Sequence, residues 1–423
     1  MTATEATPTE NTVRALFQQH DYMRFWGFRF CSVFATQMQS VTMGWQIYDI
    51  ARRMHSIQQS ALYVGLIGLC AFLPLFLLAL PAGEAADRHT RRKILILCMG
   101  GEIFSVGVLF AAALLHATTI SLLLGISFVF GTSRAFLAPA STSTAPMLVP
   151  RELLPRAIAW NSLAWQSAAV TGPAVGGLLI AIGPSVSYGT SLALYALAGF
   201  VIFLVRGNTK PEQKPGSRLE LIKEGLAYLW SNKIVLGAIS LDLVAVLLGG
   251  VTALLPVFAR DILPITGWPG REAGYGLLRA SPAIGASVVA VYLAASPIKR
   301  NAGAIMFVSV AIFGATTVVF GLSRLFALSM AALIVQGACD MASIYVRQTL
   351  VQLVTPDHMR GRVSAVAWVF VSASNELGEF TGGVFARLLG PIGAALFGGF
   401  GSMAVTGLWS MLFPALRKAD KLE

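Results

Sequence analysis

The chain has 423 residues, of which 56% are apolar and only 12% are charged, and its mean hydropathy is +0.70. Soluble globular proteins carry about 25% charged residues, so this composition excludes one. Runs such as 94–115 and 306–322 are continuously apolar over a length that crosses a bilayer as a helix. An outer-membrane barrel would instead alternate apolar and polar residues over segments of about ten residues. The composition therefore predicts an all-α membrane protein.

The charge balance is basic, with 31 Lys and Arg against 20 Asp and Glu, a formal net charge of +11. These basic residues lie in short loops, so they indicate membrane topology and contact with anionic lipids rather than a nucleic-acid partner. The four cysteines have no metal-ligand spacing, and no phosphate-binding lysine loop or catalytic triad appears. We therefore expect neither an enzyme nor a cofactor or metal site.

Apolar runs separated by charged or turn-forming residues predict twelve transmembrane helices. The predicted spans lie near 23–50, 60–83, 93–115, 119–148, 157–182, 185–206, 234–259, 274–295, 302–322, 326–350, 363–389 and 392–413. If the amino terminus is inside, inside segments hold 19 Lys and Arg and outside loops hold 5. Cytoplasmic loops are enriched in basic residues, so both termini are predicted to be cytoplasmic, in a multi-pass protein of the cell inner membrane.

The longest polar stretch divides the chain into two halves of six spans each. It contains two prolines and an amphipathic segment near 219–229, which predict a hinge-like linker with one helix on the membrane surface. The predicted organisation is a cytoplasmic segment 1–22, a six-helix bundle 23–206, a linker 207–233, a second six-helix bundle 234–413 and a cytoplasmic tail 414–423.

The two halves are related by an internal repeat. Adding 206 to the residue number aligns identical residues without a gap: Gly131 with Gly337, Pro150 with Pro356, Arg156 with Arg362, Gly172 with Gly378, Gly176 with Gly382 and Gly177 with Gly383. Shared apolar composition does not explain repeated Pro and Arg. A duplicated six-helix unit follows, which is how a large class of secondary transporters is built.

A sequence motif follows the second span. The loop reads Gly83-Glu-Ala-Ala-Asp87-Arg88-His-Thr-Arg91-Arg92-Lys93, and it resembles the signature between helices 2 and 3 of the major facilitator superfamily. Thr90 stands where that family has a second glycine. A basic turn that only sets topology would explain the arginines, but not Gly83 and Asp87 at this spacing. The resemblance implies a cytoplasmic gate, with Asp87 at the amino end of helix 11 and the arginines on lipid headgroups or neighbouring acids.

A second motif lies in the fifth span, Ala168-x-x-x-Gly172-Pro173-Ala-Val-Gly176-Gly177. It resembles the helix-5 motif that accompanies exporters in the same superfamily and departs from it only at Ala168. Small residues four apart allow close helix packing, and Pro173 removes a helical hydrogen bond. Generic small-residue packing is the alternative, but this sequence in the fifth span favours export.

A wider resemblance covers almost the whole chain outside the first twenty residues and the linker. It rests on Arg29, Gly131-Thr-Ser-Arg134-Ala-Phe-Leu-Ala-Pro139-Ala140, Pro150-Arg-Glu-Leu-Leu-Pro-Arg156-Ala, Gln348-Thr-Leu-Val-Gln352 and Pro356-Asp357-His-Met-Arg360-Gly361-Arg362-Val363. These segments resemble the enterobactin-exporter-like (transmembrane secretion effector) branch, which also includes macrolide-type efflux proteins. The resemblance implies two pseudo-symmetric six-helix bundles that rock around a midplane site.

Charged residues inside the spans are expected to carry function, because each costs at least about 2.5 kcal/mol at bilayer depth. Arg134 and Asp340 are repeat equivalents that should face a central cavity from opposite halves. Asp340, Glu376 and Glu379, with Asp242, are the proton-coupling candidates. Two charges near helix ends favour structural roles instead: Glu102 is expected to pack against arginines of the cytoplasmic loop, and Arg29 to extend to the headgroups.

Further side chains are candidates to line the same cavity. The substrate-cavity candidates are Arg134, Arg29, Gln37, Trp45, Gln336, Tyr345, Trp368 and Asn375. Together they suit an amphipathic aromatic or anionic cargo. The sequence thus predicts a proton-coupled exporter, expected to be a monomer, with a small-molecule substrate such as a siderophore. Drug or macrolide efflux, lipid or lysolipid transport, and a transport-inactive receptor or scaffold remain the alternatives.

Overall fold

The computed structural model describes residues 15–207, 209–210, 218–267 and 270–419, and this part of the chain is helical without strands. Most of the predicted amino-terminal segment, part of the linker and the end of the tail lie outside it. The helices of the first half are α1 His20–Arg52, α2 Ile57–Leu77, α3 Arg91–Leu114, α4 Ile120–Thr144, α5 Leu154–Ile182 and α6 Pro184–Phe203. Those of the second half begin with α7 Lys233–Gly249, α8 Gly270–Ala295, α9 Ala302–Leu322 and α10 Phe326–Val354.

The last two helices form one continuous run, Asp357–Leu412, that is broken at Gly390. Gly390 has a φ of 75°, which a residue without Cβ adopts at little cost, and Pro391 follows it. Proline cannot donate the next helical hydrogen bond, so the chain turns here. We number the part before the break α11 (357–389) and the part after it α12 (391–412).

Ten stretches of the described chain are long and apolar enough to cross a membrane. The last of these, Ser374–Leu412, contains parts of both α11 and α12. α1 is not among the ten, although its 33 residues are more than enough to span a bilayer. With α1 included and the last stretch divided, the described chain has twelve spanning helices, which confirms the predicted all-α membrane fold.

Some predicted spans have different ends. α2 stops at Leu77, and a separate short helix, Ala79–Arg88, carries the first part of the loop motif, Gly83 to Arg88, whose first residue the sequence placed in the second span. α7 stops at Gly249 and continues to Ile262 in short irregular turns instead of one helix. The chain passes very close to α11 here, because a Cβ on Gly250 would lie 2.5 Å from the carbonyl oxygen of Gly378. The boundary therefore depends on a tertiary contact.

The two halves repeat the same packing. In the first half α1 packs on α5 and α6, α4 on α2 and α3, and α3 on α6. In the second half α7 packs on α11 and α12, α10 on α8 and α9, and α9 on α12. Between the halves, α2 contacts α11 and α5 contacts α8. The predicted pair of pseudo-symmetric bundles is confirmed.

The helix Arg218–Ser231, here called the linker helix, packs against the second half. Leu229 is buried with Val363 and Val366 of α11, and Arg362 forms an ion pair with Glu224. Leu229 therefore faces protein, while Trp230 of the same helix is 66% exposed, and the location of this amphipathic segment on the membrane surface stays a prediction. We call the end of the molecule that carries this helix the linker face and the other end the distal face.

Candidate functional site

The halves meet at two crossings formed by glycines. A Cβ built on Gly177 of α5 would lie 2.7 Å from the Cα of Gly276 on α8. A Cβ on Gly383 of α11 would lie 2.8 Å from the Cα of Gly65 on α2. Real Cβ atoms do not approach so closely, so glycine allows the backbones of opposite halves to touch. Because Gly177 and Gly383 are repeat equivalents, the two crossings are copies of one contact.

The rest of the helix-5 motif packs within the first half. A Cβ built on Gly172 would lie 2.7 Å from the Cβ of Gln37 on α1. A Cβ built on Gly176 would lie 3.2 Å from the Cα of Met38 on the same helix. Pro173 contributes its carbonyl oxygen to the crossing with α8. The motif therefore fixes α5 to its own half on one side and to the opposite half on the other.

Ion pairs join the halves at the distal face. Asp261 accepts a hydrogen bond from the Tyr48 hydroxyl at 2.5 Å and pairs with Arg52 at 3.2 Å. A second ion pair has its charges on the opposite halves: Arg260 of the second half pairs with Asp49 of the first at 2.7 Å. We call these five residues the distal clasp. They hold the end of α1 against the turns that follow α7, so this side of the molecule is closed.

A central charge network lies further inside, and we define it as Arg134, Arg279, Glu376 and Glu379. Arg134 Nη1 of α4 donates to Glu376 Oε1 of α11 at 2.8 Å, across the two halves. One turn later on α11, Glu379 Oε1 accepts from Arg279 Nη2 of α8 at 2.9 Å. The four side chains keep between 16% and 35% of their surface exposed. Both pairs therefore border space that a water molecule can occupy.

Glu102 lies next to this network and is not located where the sequence suggested. It is 0% exposed in the middle of α3, and it interacts electrostatically with Arg134 instead of with the arginines of the loop. Neither of its carboxyl oxygens has a hydrogen-bond partner in the described structure. The prediction failed because α3 turns this residue toward the bundle interior.

A second charged cluster lies between α7 and α10. Arg347 pairs with Asp242, and the two side chains are only 5% and 6% exposed. Asp340, about two helical turns before Arg347 on α10, is half-buried and interacts electrostatically with both. The expected opposition of Arg134 and Asp340 across the cavity is therefore replaced by two separate clusters, because Arg134 pairs with Glu376.

The loop motif contacts its own half of the molecule. Arg91 donates to the carbonyl oxygen of Ser143 at 2.6 Å, and Arg92 donates to that of Phe203 and lies over its ring. Arg88 pairs with Glu84 at 2.6 Å. Arg91 and Arg92 thus bind the ends of α4 and α6, and two of the arginines also meet neighbouring acids as expected, Arg88 with Glu84 and Arg91 electrostatically with Asp87. Gly83 is buried, and Asp87 is exposed and has an interaction partner.

The sequence matches the model of one protein family over nearly its full length. Residues 12–423 match the family described as transmembrane secretion effector. The chain belongs to this family. It is therefore a membrane transporter of the major facilitator type and not an enzyme, in agreement with the prediction.

Curated relatives and solved structures agree with this membership. Proteins named "Enterobactin exporter EntS" from Citrobacter koseri and Shigella dysenteriae serotype 1 are 27% and 26% identical to this transporter, over 92% of its chain and 91% of theirs. The POT family transporter PepTSo superposes with a TM-score of 0.77 at 10% identity, covering 95% of this chain and 99% of its own. A D-xylose-proton symporter gives 0.67 at 13% identity, covering 92% and 97%. The structures establish the fold alone.

The predicted cavity residues of this transporter fall in different surroundings. Arg29 donates to Ser141 of α4 at 2.8 Å, so it does not extend to the headgroups. Trp45 stacks on Tyr275 of α8, with ring centroids 5.7 Å apart, and therefore lies between the halves.

The remaining predicted cavity residues differ in their exposure and in the helices they face. Gln336 is buried and donates to Thr317 at 2.7 Å, so it faces α9 instead of a cavity between the halves. Asn375 is exposed, Tyr345 is half-buried, and the Trp368 side chain lies outside the described residues.

The sequence reasoning missed two arginines that form ion pairs inside the spans. Arg279 and Arg347 each lie in an apolar span. The criterion that singled out Arg134, a charged residue inside a span, therefore applies to them as well. Each is the partner of an acid that the sequence did select, Glu379 for Arg279 and Asp242 for Arg347. A complete search for charges inside the spans would have found both residues but not their pairing.

Proposed function

We propose that this transporter is a proton-coupled exporter of a small amphipathic molecule, with a siderophore as the leading cargo class. Relatives named as enterobactin exporters cover nine-tenths of the chain at 26–27% identity, which supports export of this kind. The helix-5 motif at Gly172, Pro173, Gly176 and Gly177 supports the same direction of transport. Two six-helix halves that touch through small residues suit alternating access around a midplane site.

The observation that carries the proposal is the ion pair between Arg134 and Glu376. It joins the two halves near mid-membrane, yet 35% of the Arg134 side chain and 16% of the Glu376 side chain remain exposed. Proton binding to Glu376 would remove one charge of the pair and weaken the contact between the halves. A pair that both senses protons and links the halves supplies the coupling that an antiporter needs.

The acids fall into two proposed roles. Glu376 and Glu379 exchange protons directly, because their pairs are accessible. Asp340 and Asp242 are the further proton-coupling candidates, and exchange at Asp242 requires Arg347 to move, because that pair is closed. An anionic group on the cargo would compete with the glutamates for Arg134 and Arg279, so cargo binding would favour proton uptake on α11.

We place the linker face in the cytoplasm. The nineteen basic residues that the topology assigns to this side, against five on the distal side, support this placement, which implies location in the inner membrane. The transporter would then function as a monomer of two bundles joined by the linker, with protons, lipid and a small molecule as its partners. In this structure the side facing the cell exterior would be closed by the distal clasp.

Transport into inside-out membrane vesicles with an acidified lumen tests the proposal. Enterobactin is the probe, and the expected result is uptake that disappears when an uncoupler collapses the pH gradient. Glu376→Gln and Asp340→Asn are expected to reduce uptake to the level of vesicles without the protein. Glu152→Gln, which changes an exposed loop carboxyl, should leave uptake unchanged.

Other outcomes separate the alternatives. Uptake of a macrolide but not of enterobactin would favour drug efflux, and uptake of a lysolipid alone would favour lipid transport. Full uptake by both carboxyl variants would refute the assigned coupling residues. Absence of gradient-driven uptake of all three probes would favour a receptor or scaffold.

A further inference from the structure

Glu102 is a buried acid that the proposed coupling does not yet use. It has no exposed surface, and both carboxyl oxygens lack hydrogen-bond partners in the described structure. An ionised carboxylate in such a place would lose its hydration without gaining donors, which is very costly. A neutral, protonated carboxyl group is the form that this environment accepts.

The groups that face Glu102 come from its own helix and from the two helices packed on α3. Cys98 lies one turn earlier on α3, Arg134 faces it from α4, and Tyr195 faces it from α6. The Tyr195 hydroxyl is within 3.1 Å of the Thr36 hydroxyl on α1. Arg134 is therefore the cation of this environment, and its guanidinium is bonded to Glu376.

Arg134 thus lies between two acids that belong to different halves. Glu376 is across the interface and holds Arg134 Nη1 at 2.8 Å, whereas Glu102 is in the same half and interacts with Arg134 without a hydrogen bond. Rotation of the Arg134 side chain about its own bonds would then exchange one acid for the other. Arg134 would then form an ion pair with each of the two acids in turn.

We propose that Glu102 is a proton-carrying residue of the transport cycle and that Arg134 alternates between Glu376 and Glu102. In the present state Glu102 holds a proton and Arg134 links the halves through Glu376. When Arg134 turns to Glu102, the Glu102 proton passes to cavity water and an ion pair forms within the first half. This step therefore releases one proton, and Glu376 takes up a proton from the water only in a separate, later step of the cycle. This proposal rests on the proposed proton coupling and adds the residue that exchanges with Glu376.

The exchange predicts opposite effects for two similar substitutions. In the Glu102→Gln variant, Glu376 is the one acid of this pair that Arg134 can still bind. The halves should therefore stay in the present distal-closed state. In Glu376→Gln, Arg134 has only Glu102, so the link between the halves is lost and the distal-open population should rise. A purely structural role for Glu102 would not produce opposite shifts.

Spin-label distances across the distal face measure these states without any cargo. Met54 and Leu325 are suitable positions, because they are 68% and 65% exposed at the distal ends of opposite halves. Both are replaced by labelled cysteines in the full chain, with Cys31, Cys70 and Cys339 changed to alanine and Cys98 retained beside Glu102. Distances are recorded in lipid nanodiscs between pH 5.5 and 8.5.

The wild type is expected to move from the short to the long distance as pH rises, because Glu102 loses its proton and attracts Arg134. Glu102→Gln should give the short distance at every pH, and Glu376→Gln the long one. Glu102→Asp should keep a pH-dependent change with a shifted midpoint, and Glu152→Gln should behave like the wild type.

Three results would overturn the proposal: a wild-type distance that does not change with pH, a Glu102→Gln variant with wild-type pH dependence, or shifts of both Gln variants in the same direction. If Glu102→Gln does not fold, loss of the pH-dependent change in folded Glu102→Asp would also overturn it. Because no cargo is present, a wrong cargo class in the vesicle experiment leaves these distances unaffected, and the two failures are distinguishable.

Discussion

Two ion pairs inside the membrane have the same chemistry but different surroundings. Arg134 and Glu376 are partly exposed between the halves, whereas Arg347 and Asp242 are enclosed within the second half. Removing one partner of an enclosed pair leaves a buried charge without compensation, which costs about 3–5 kcal/mol. The first pair is therefore suited to change during transport and the second to hold α7 and α10 together.

Substitutions at Arg347 test this distinction. Arg347→Ala is expected to destabilise the protein by about 3–5 kcal/mol, because Asp242 would remain buried and charged. The double variant Asp242→Leu with Arg347→Met should recover most of this loss, since it buries no charge. Thermal unfolding in detergent measures both.

Arg88→Ala is the matched control, because Arg88 is 69% exposed and its pair with Glu84 should contribute less than about 1 kcal/mol. An Arg347→Ala variant that melts like the Arg88→Ala variant would contradict the structural role of the enclosed pair.

Individual residues also show what the sequence could and could not predict. An acid in an apolar span is visible in the sequence, so Glu376, Glu379, Asp242 and Asp340 were found. Which cation each acid binds depends on the approach of helices far apart in the chain, so the Arg134 to Glu376 pair was not predicted. Glu102 was misplaced because its distance from the start of α3 indicates depth but not the direction in which the helix turns it.

At the scale of helices, the crossings between the halves depend on the absence of side chains. Gly65 and Gly383 bring α2 and α11 together, and the same face of α11 carries Glu376 and Glu379 beside Gly68. The repeat made Gly383 recognisable in the sequence as the equivalent of Gly177. The helix-5 motif did not indicate that its last glycine, Gly177, contacts the opposite half, because that contact forms only when the two bundles pack together.

Gly383→Leu is expected to force α2 and α11 apart and favour the distal-open state. Overpacking of this kind costs about 1–3 kcal/mol, which corresponds to roughly a 5- to 150-fold change in the equilibrium between states. The spin-label distance between positions 54 and 325 measures the shift. Gly407→Leu on α12 is the control, because a Cβ there meets no atom within 4 Å. Equal effects of the two leucines would argue against a role for the crossing.

At the scale of the whole molecule, the distal clasp joins the halves by charges arranged in opposite order. Asp49 and Arg52 at the end of α1 face Arg260 and Asp261 after α7. Partly exposed pairs are individually weak, at up to about 1 kcal/mol, and they are screened by salt. Such a clasp can close the distal side without preventing it from opening.

The double variant Asp49→Asn with Asp261→Asn is expected to raise the distal-open population several-fold, and to remove most of its dependence on ionic strength. In the wild type, the long spin-label distance should become more populated between 0.05 and 0.5 M salt, because the clasp weakens as the Debye length falls below about 10 Å. A wild-type population that does not respond to salt would mean that the clasp contributes little to closure.

The two glycine crossings have a consequence for the origin of the molecule. Gly177 touches α8 of the other half, and its repeat equivalent Gly383 touches α2, so each half offers the same surface to the other. A single six-helix ancestor with this surface could have paired with a second copy of itself about a two-fold axis, making both contacts from one pair of glycines. Joining the two copies by a linker would have kept that contact and allowed the acids on either side of it to diverge.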